Sequence, residues 1–159
     1  MEVSCAAHTS ASSIHFKPAS LENVLPDAIA MVALHHEETG TMNHEEFDPD
    51  YQRYLAVEKS GLSRLFIVDD GEDLVGYSFF FVMPHMHYRK AIWAYQDVLF
   101  IKPAYRGTLS VEFVKWCDSQ LFDEGVSRIV RSVHEKNDYS GLLKHVGYEP
   151  LETQFIRSA

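Results

Sequence analysis

Asp97-Val98-Leu99-Phe100-Ile101-Lys102-Pro103-Ala104-Tyr105-Arg106-Gly107-Thr108-Leu109-Ser110 is the stretch on which the reading of this chain turns. An apolar run ends at Pro103, a tight Arg106-Gly107 turn follows, and a new helix is expected from about Ser110. A strand that passes through a glycine turn into a helix aims unpaired backbone N–H groups at one point. The helix dipole adds partial positive charge there. Such a corner accepts phosphate or pyrophosphate without any lysine. Read locally, the same residues also suit a plain strand-turn-helix corner.

Outward from this corner, strand and helix patterns follow one another. Residues 14–17 alternate and read as a first strand that Pro18 ends. Ser20 stands as a helix cap, with Asn23 in the place of the capping-box acid. Leu21, Val24, Leu25, Ile29, Val32 and Ala33 form the apolar face of that helix, which Gly40 closes. Asp48 as N-cap and Pro49 at the first helical position start a second helix, closed by Gly61. Residues 64–68 read as a strand, 70–73 as a hairpin turn, and 74–83 as a long strand. Apolar on both faces over residues 79–82, that strand is expected to be central and covered on both sides. Residues 84–90 read as a loop, 91–101 as the fourth strand, 110–123 as a helix and 127–133 as the fifth strand. A short helix over 139–145 and one or two strands over 148–156 complete the order. That order asks for a mixed sheet between helices.

The 46% hydrophobic share of 159 residues suits one globular domain with a proper core. Residues 1–12, rich in Ser, Ala and Thr, are expected to form a flexible tail ahead of a single domain over 13–159. The formal net charge of −9 argues against nucleic-acid and anionic-membrane partners and suits a cationic amine. Cys5 and Cys117 are expected to be unpaired, as in a reducing cytosol. No apolar run reaches the length of a membrane span and no secretion signal is visible, so the expected location is cytoplasmic.

The strand, the Arg106-Gly107 turn and the small Ser110 resemble the acetyl-CoA loop of the GNAT family of N-acetyltransferases. Thr108 and Leu109 stand where that loop carries its middle glycine, and the loop is one residue short. Val75-Gly76-Tyr77 is similar to the family's third strand. Glu124-Gly125-Val126-Ser127-Arg128-Ile129 is similar to its entry into strand five, and Leu142-Leu143-Lys144-His145-Val146-Gly147-Tyr148-Glu149-Pro150 to its closing motif. Pro84-His85-Met86-His87-Tyr88 with Asp97-Val98-Leu99-Phe100 resembles, more narrowly, GNAT-like proteins of tailed bacteriophages. The resemblance covers about residues 14–157. It implies an α/β fold: a mixed, mostly antiparallel sheet of six or seven strands, flanked by about four helices and splayed between strands four and five.

It further implies acetyl-CoA in that splay, with backbone groups of Leu99 and Ile101 along the pantetheine. Arg106, Gly107, Thr108, Leu109 and Ser110 would cradle the pyrophosphate, and Asn137 would contact CoA. Asp97 is a carboxylate in an otherwise apolar strand, and such a group needs a reason to be there. It is a candidate general base, or else an acceptor tying two loops together. The family's tyrosine acid falls at Leu143, which cannot serve. Tyr139, one turn earlier, is the candidate acid, with core packing as its plain alternative. Glu45, Glu46 and His87 border the implied acceptor cleft and are candidates for acceptor contacts. The clustered histidines lack an identifiable third ligand, so no metal is expected.

Two functions of different classes remain open on this sequence, with transfer of a different acyl group as a third reading. One is an acetyl-CoA-dependent N-acetyltransferase acting on an amine of a small molecule or protein. The other is a GNAT-fold protein without catalysis that serves as a binding or structural part. If phage-encoded, it would act in the host cytoplasm or the virion. A homodimer or a host-protein partner is compatible with either.

Overall fold

The computed structural model describes residues 13–40 and 46–157. Among them one five-stranded sheet forms from β1 (His15–Ala19), β2 (Ser63–Asp69), β3 (Leu74–His85), β4 (Tyr88–Ile101) and β5 (Arg128–Val130), in that spatial order. The first four pair antiparallel and β5 joins β4 in parallel. Four α-helices flank the sheet: α1 (Leu21–Thr39), α2 (Tyr51–Lys59), α3 (Thr108–Asp123) and α4 (Ser140–His145).

The doubly apolar β3 explains this layering. Phe80 and Val82 face α3 and pack with Phe66, Val68, Phe113, Cys117 and Leu121. Tyr77 and Phe79 face the other way, into a cluster with Leu21, Met31, Leu65, Ile67 and Phe100 under α1 and α2. Phe66, Phe80 and Phe113 are fully buried, and each stabilises the fold by roughly 1.5–3 kcal/mol. Cys117 is a free thiol inside this core, and burial pushes its pKa up.

Several boundaries differ from the sequence reading, each for a local reason. Pro18 lies inside β1, opposite Phe66, because β1 is an edge strand and a missing N–H costs nothing on its open side. Ser20 occupies the α1 N-cap but makes no cap bond. Instead Glu58 of α2 accepts from the Leu21 N–H at 2.6 Å and from the Ser20 hydroxyl at 3.1 Å. The apolar stripe of α1 runs through Leu21, Val24, Leu25, Ala28, Met31 and Val32, which turns Ile29 and Ala33 to water. The α2 cap is Asp50 rather than Asp48, its carboxylate accepting from the Arg53 N–H at 2.9 Å. Residues 84–90 are mostly strand, leaving only Met86 and His87 as the turn of a long β3–β4 hairpin. Pro84 is tolerated there because β2 stops at the Ser63–Phe81 pair and leaves that edge of β3 open. The sheet has five strands where six or seven were expected: β5 is short, and residues 148–157 form no strand. α3 begins at Thr108, directly after Gly107.

β3 carries a bulge at Val75, since Leu74 pairs with Asp69 while Gly76 pairs with Val68. The bulge turns Gly76 toward the α3 side, between Val68 and Ile101. A Cβ there would lie 2.8 Å from the Phe100 carbonyl oxygen and 2.8 Å from Val68 Cγ1. Gly76→Ala is therefore expected to lower stability by about 1–3 kcal/mol, read as a fall of several degrees in Tm.

Candidate active site

The decisive local feature is a second bulge. Phe79 pairs with Val98 and Phe80 pairs with Gln96, so Asp97 has no cross-strand partner. A bulge re-aims side chains. Here Asp97 and Val98 both face the α1–α2 side, while Gln96 faces α3. The unusual carboxylate is thus not buried inside the sheet. It stands at the rim of a cleft of about 750 Å³ between the sheet and α1, α2 and residues 46–50.

The Tyr54 hydroxyl donates to Asp97 Oδ2 at 2.6 Å. Burial against the cleft walls raises the Asp97 pKa above the usual carboxylate range, and the Tyr54 bond opposes the rise. Tyr54 is itself pushed up by burial and by this bond. Deeper in the cleft, His35 Nδ1 lies 3.2 Å from the Tyr77 hydroxyl, and its ring stacks on Phe100. Burial is the main cause lowering the His35 pKa. Glu38 opposes the shift and Arg106 adds to it. Burial raises the Tyr77 pKa. Most other walls are apolar, and Glu46, Asp48 and Asp50 outweigh Arg53 to leave the lining acidic.

On the α3 side, β4 and β5 pair only over 93–95 with 128–130 and then part. β4 continues to Ile101 with no strand on that edge among the described residues. The wedge at the parting is Arg131, whose side chain is fully buried. It donates to Gln96 Oε1 at 2.6 Å, Asp118 Oδ1 at 2.6 Å and the Tyr148 hydroxyl at 2.8 Å. Its guanidinium lies 4.9 Å from the Phe80 ring centroid. The Tyr139 hydroxyl accepts from Gln96 Nε2 at 2.7 Å and donates to the Ser132 carbonyl at 2.7 Å.

At the far end of β4, Gly107 adopts φ 105° and opens α3 with no side-chain cap. The first helical N–H groups, at Thr108 and Leu109, lack intrahelical partners, while Ser110 N–H bonds back to Gly107 O at 3.0 Å. Arg106 does not point into this corner. Its Nε donates to Ile101 O at 2.8 Å and its Nη2 reaches both Glu38 carboxylate oxygens at 2.7 Å.

The structure therefore separates the residues singled out in the sequence into four groups. Asp97 and Glu46 line the cleft. Tyr139 and Asn137 lie in the loop between β5 and α4, Tyr139 bonded to Gln96 and Asn137 bridged to His134. Leu99, Ile101 and residues 106–110 follow the unpaired half of β4 into α3. His87 is at the exposed hairpin turn, and Glu45 lies outside the described residues. The sequence reading gave Tyr54, Tyr77, His35 and Arg131 no role in this site. His35 continues the α1 stripe one turn past Met31 and Val32, and Arg131 interrupts an apolar run. Both signals were present but unspecific. Among the described residues, no group of three or more His, Cys, Asp or Glu side chains is placed to hold a metal, and no helix is long and apolar enough to cross a membrane.

No family model matches the chain, and no curated protein matches it. Solved structures do. An aminoglycoside acetyltransferase from an uncultured soil metagenomic sample, in complex with trehalose, superimposes with a TM-score of 0.73 at 15% identity, over 92% of this chain and 96% of that one. A predicted acetyltransferase with acetyl-CoA from Clostridium acetobutylicum gives 0.69 at 12% identity, over 91% and 96%. A ribosomal-protein-alanine N-acetyltransferase from Brucella melitensis biovar Abortus 2308 gives 0.66 at 12%, over 92% and 100%. The chain has the α/β fold of the GNAT acetyltransferases. These matches do not bear on the narrower likeness to phage proteins.

Tyr54→Phe removes a bond to the charged form of Asp97 and leaves its burial in place. The Asp97 pKa, already above that of an exposed aspartate, is expected to rise further. A carboxyl-carbon NMR titration of the two proteins checks this, and an unchanged or lower value contradicts the pairing.

Proposed function

We propose that the chain is an acetyl-CoA-dependent N-acetyltransferase whose acceptor amine enters the Asp97 cleft. The observation that carries this is the behaviour of β4. It loses its β5 neighbour after Tyr95 and, at the same place, bulges to present Asp97 to the opposite face. Fold similarity to acetyltransferases raises the prior without fixing the reaction.

The residues present fit the cofactor. A Cβ placed on Gly107 would meet no heavy atom within 4 Å, so an anion has room to approach the backbone N–H groups that open α3. The edge of β4 that β5 leaves unpaired offers backbone groups around Leu99 to an extended pantetheine chain, Ile101 O already accepting from Arg106, and Asn137 lies in the loop that follows β5. When bound, acetyl-CoA supplies an acetyl group activated as a thioester.

The chain's own residues then have distinct tasks. The acidic lining, with Glu46, attracts an ammonium. Asp97 Oδ takes the proton that the amine must lose before its nitrogen is nucleophilic. Tyr54 holds that carboxylate in one orientation. Tyr139 is the candidate donor to the departing thiolate. Its hydroxyl now donates to the Ser132 carbonyl, so it must turn from that partner to act. This engagement is the one observation favouring the second reading, a protein that keeps the fold for binding, in a phage particle or against a host protein, without chemistry.

The test combines titration calorimetry with acetyl-CoA and release of free CoA across an amine panel. Asp97→Asn keeps the Tyr54 contact and removes the base. It is expected to lower kcat by about 100-fold or more with little change in acetyl-CoA affinity. The wild-type rate should rise with pH through the elevated Asp97 pKa, because only the deprotonated carboxylate accepts a proton. The elevated pKa marks a charge that folding disfavours, so stability tied to Asp97 is lost as pH rises through it. The Asn variant should therefore be no less stable at neutral pH. An Asn variant as active as wild type places the base elsewhere. Acetyl-CoA binding without transfer to any amine favours the second reading.

A further inference from the structure

The face that carries Asp97 does not end at the cleft. Beyond Phe81, the same side of the β3–β4 hairpin continues through Tyr95, Met83, Trp93 and His85, since Phe81 pairs with Tyr95 and Met83 with Trp93. The rings touch in series: Trp93 lies 6.0 Å from Tyr95 and 4.1 Å from His85 by centroid. Among the described residues the cleft lining from α1 and α2 does not extend over this outer stretch, where Met83 is 39% exposed and Trp93, Tyr95 and His85 are half-buried.

The charge along this face also changes sign. The cleft lining carries Glu46, Asp48, Asp50 and Asp97 against Arg53, an acidic balance. Residues 83–95 contain no acid, in a chain of net charge −9. Arg128 of β5, paired with Trp93, lays its guanidinium 5.5 Å from the Trp93 ring centroid. Among the described residues it has no carboxylate partner.

We propose that the acceptor is an extended polypeptide whose amine reaches Asp97 while its apolar side chains lie on this aromatic track and an acidic side chain pairs with Arg128. Which end reacts rests on the acetyltransferase reading. Trp93 and Asp97 are separated along the strand by about 13 Å at 3.3 Å per residue. An extended peptide covers that span in about four residues, so the acid belongs about four residues beyond the reacting amine. A small polar amine would leave the track unused. Opposite charges at the two ends fix the direction in which the peptide lies and exclude one with the reverse pattern.

The experiment uses two amidated pentapeptides with a free N-terminal amine and three apolar residues at positions two to four. One ends in aspartate and the other in lysine. Titration calorimetry without acetyl-CoA should show the aspartate peptide binding at least about tenfold more tightly. Arg128→Gln should erase that preference and Arg128→Glu should reverse it, with thermal unfolding confirming that both variants are folded. Equal binding of the two peptides, a preference indifferent to Arg128, or binding of 2-phenylethylamine alone overturns the proposal. Peptide discrimination in a protein that neither binds acetyl-CoA nor transfers acetyl sinks the enzymatic reading and leaves the docking track. Acetylation of 2-phenylethylamine with no peptide discrimination does the reverse.

Discussion

The buried guanidinium of Arg131 is the constraint around which the sheet is arranged. A charge in this position costs several kcal/mol in desolvation unless it is paired and its remaining donors are bonded. Here Asp118 of α3, Gln96 of β4 and Tyr148 meet those donors, and Phe80 lies against the guanidinium. Arg131 is the residue directly after β5, which ends at Val130, and its side-chain bonds to Gln96 and Asp118 fix the chain at the point where the two strands part. The parting of β4 and β5 is therefore a fixed wedge rather than a loose edge. It also ties α3 to the chain beyond α4, because Asp118 accepts from both Arg131 and Tyr148.

Just beyond the last β4–β5 pair, the extra residue in β4 does something that strict alternation forbids. Gln96 serves the wedge on one face, while Asp97 and Val98 both serve the cleft on the other. Without the bulge, Val98 would share the Gln96 face, and every side chain from there to Ile101 would be reversed. The bulge therefore keeps two cores in register, with Leu99 and Ile101 toward α3 and Phe100 toward α1. It also places a carboxylate beside the open strand edge. One irregularity supports both the packing of the fold and the geometry of the candidate site.

The layering was legible because periodicity is a local signal: the doubly apolar run over 79–82, the Gly40 helix stop and the glycine turn at 107 all stand where the structure uses them. Asp97 was legible as an oddity, an acid in an apolar strand, but the reason for it was not. The bulge that exposes it depends on the register against β3, and a single sequence does not print register. The Asp97–Tyr54 and Arg131–Asp118 contacts join residues far apart in sequence, so no spacing rule reaches them. The same holds for Glu58, which caps a helix that begins thirty-odd positions earlier. The shortfall in strands has a related cause: residues 148–157 have strand-like composition, yet composition does not provide a partner edge.

Arg106 illustrates how a magnitude decides between two roles for one side chain. In the sequence it stood in the anion corner. In the structure it bridges Ile101 O and Glu38, with its guanidinium 5.6 Å from the Phe100 ring centroid. The Glu38 pair is partly exposed on both sides, and exposed pairs of this kind contribute about 0–1 kcal/mol. Its value is thus geometric rather than energetic: it holds the turn against α1 and leaves the space in front of the α3 N-terminus clear. Anion recognition then falls to the backbone, which needs Gly107 for its positive φ and for the empty volume where a side chain would stand. A side chain at position 107 would strain the turn and fill the approach at once, whereas loss of the Arg106–Glu38 pair would only loosen the frame around it.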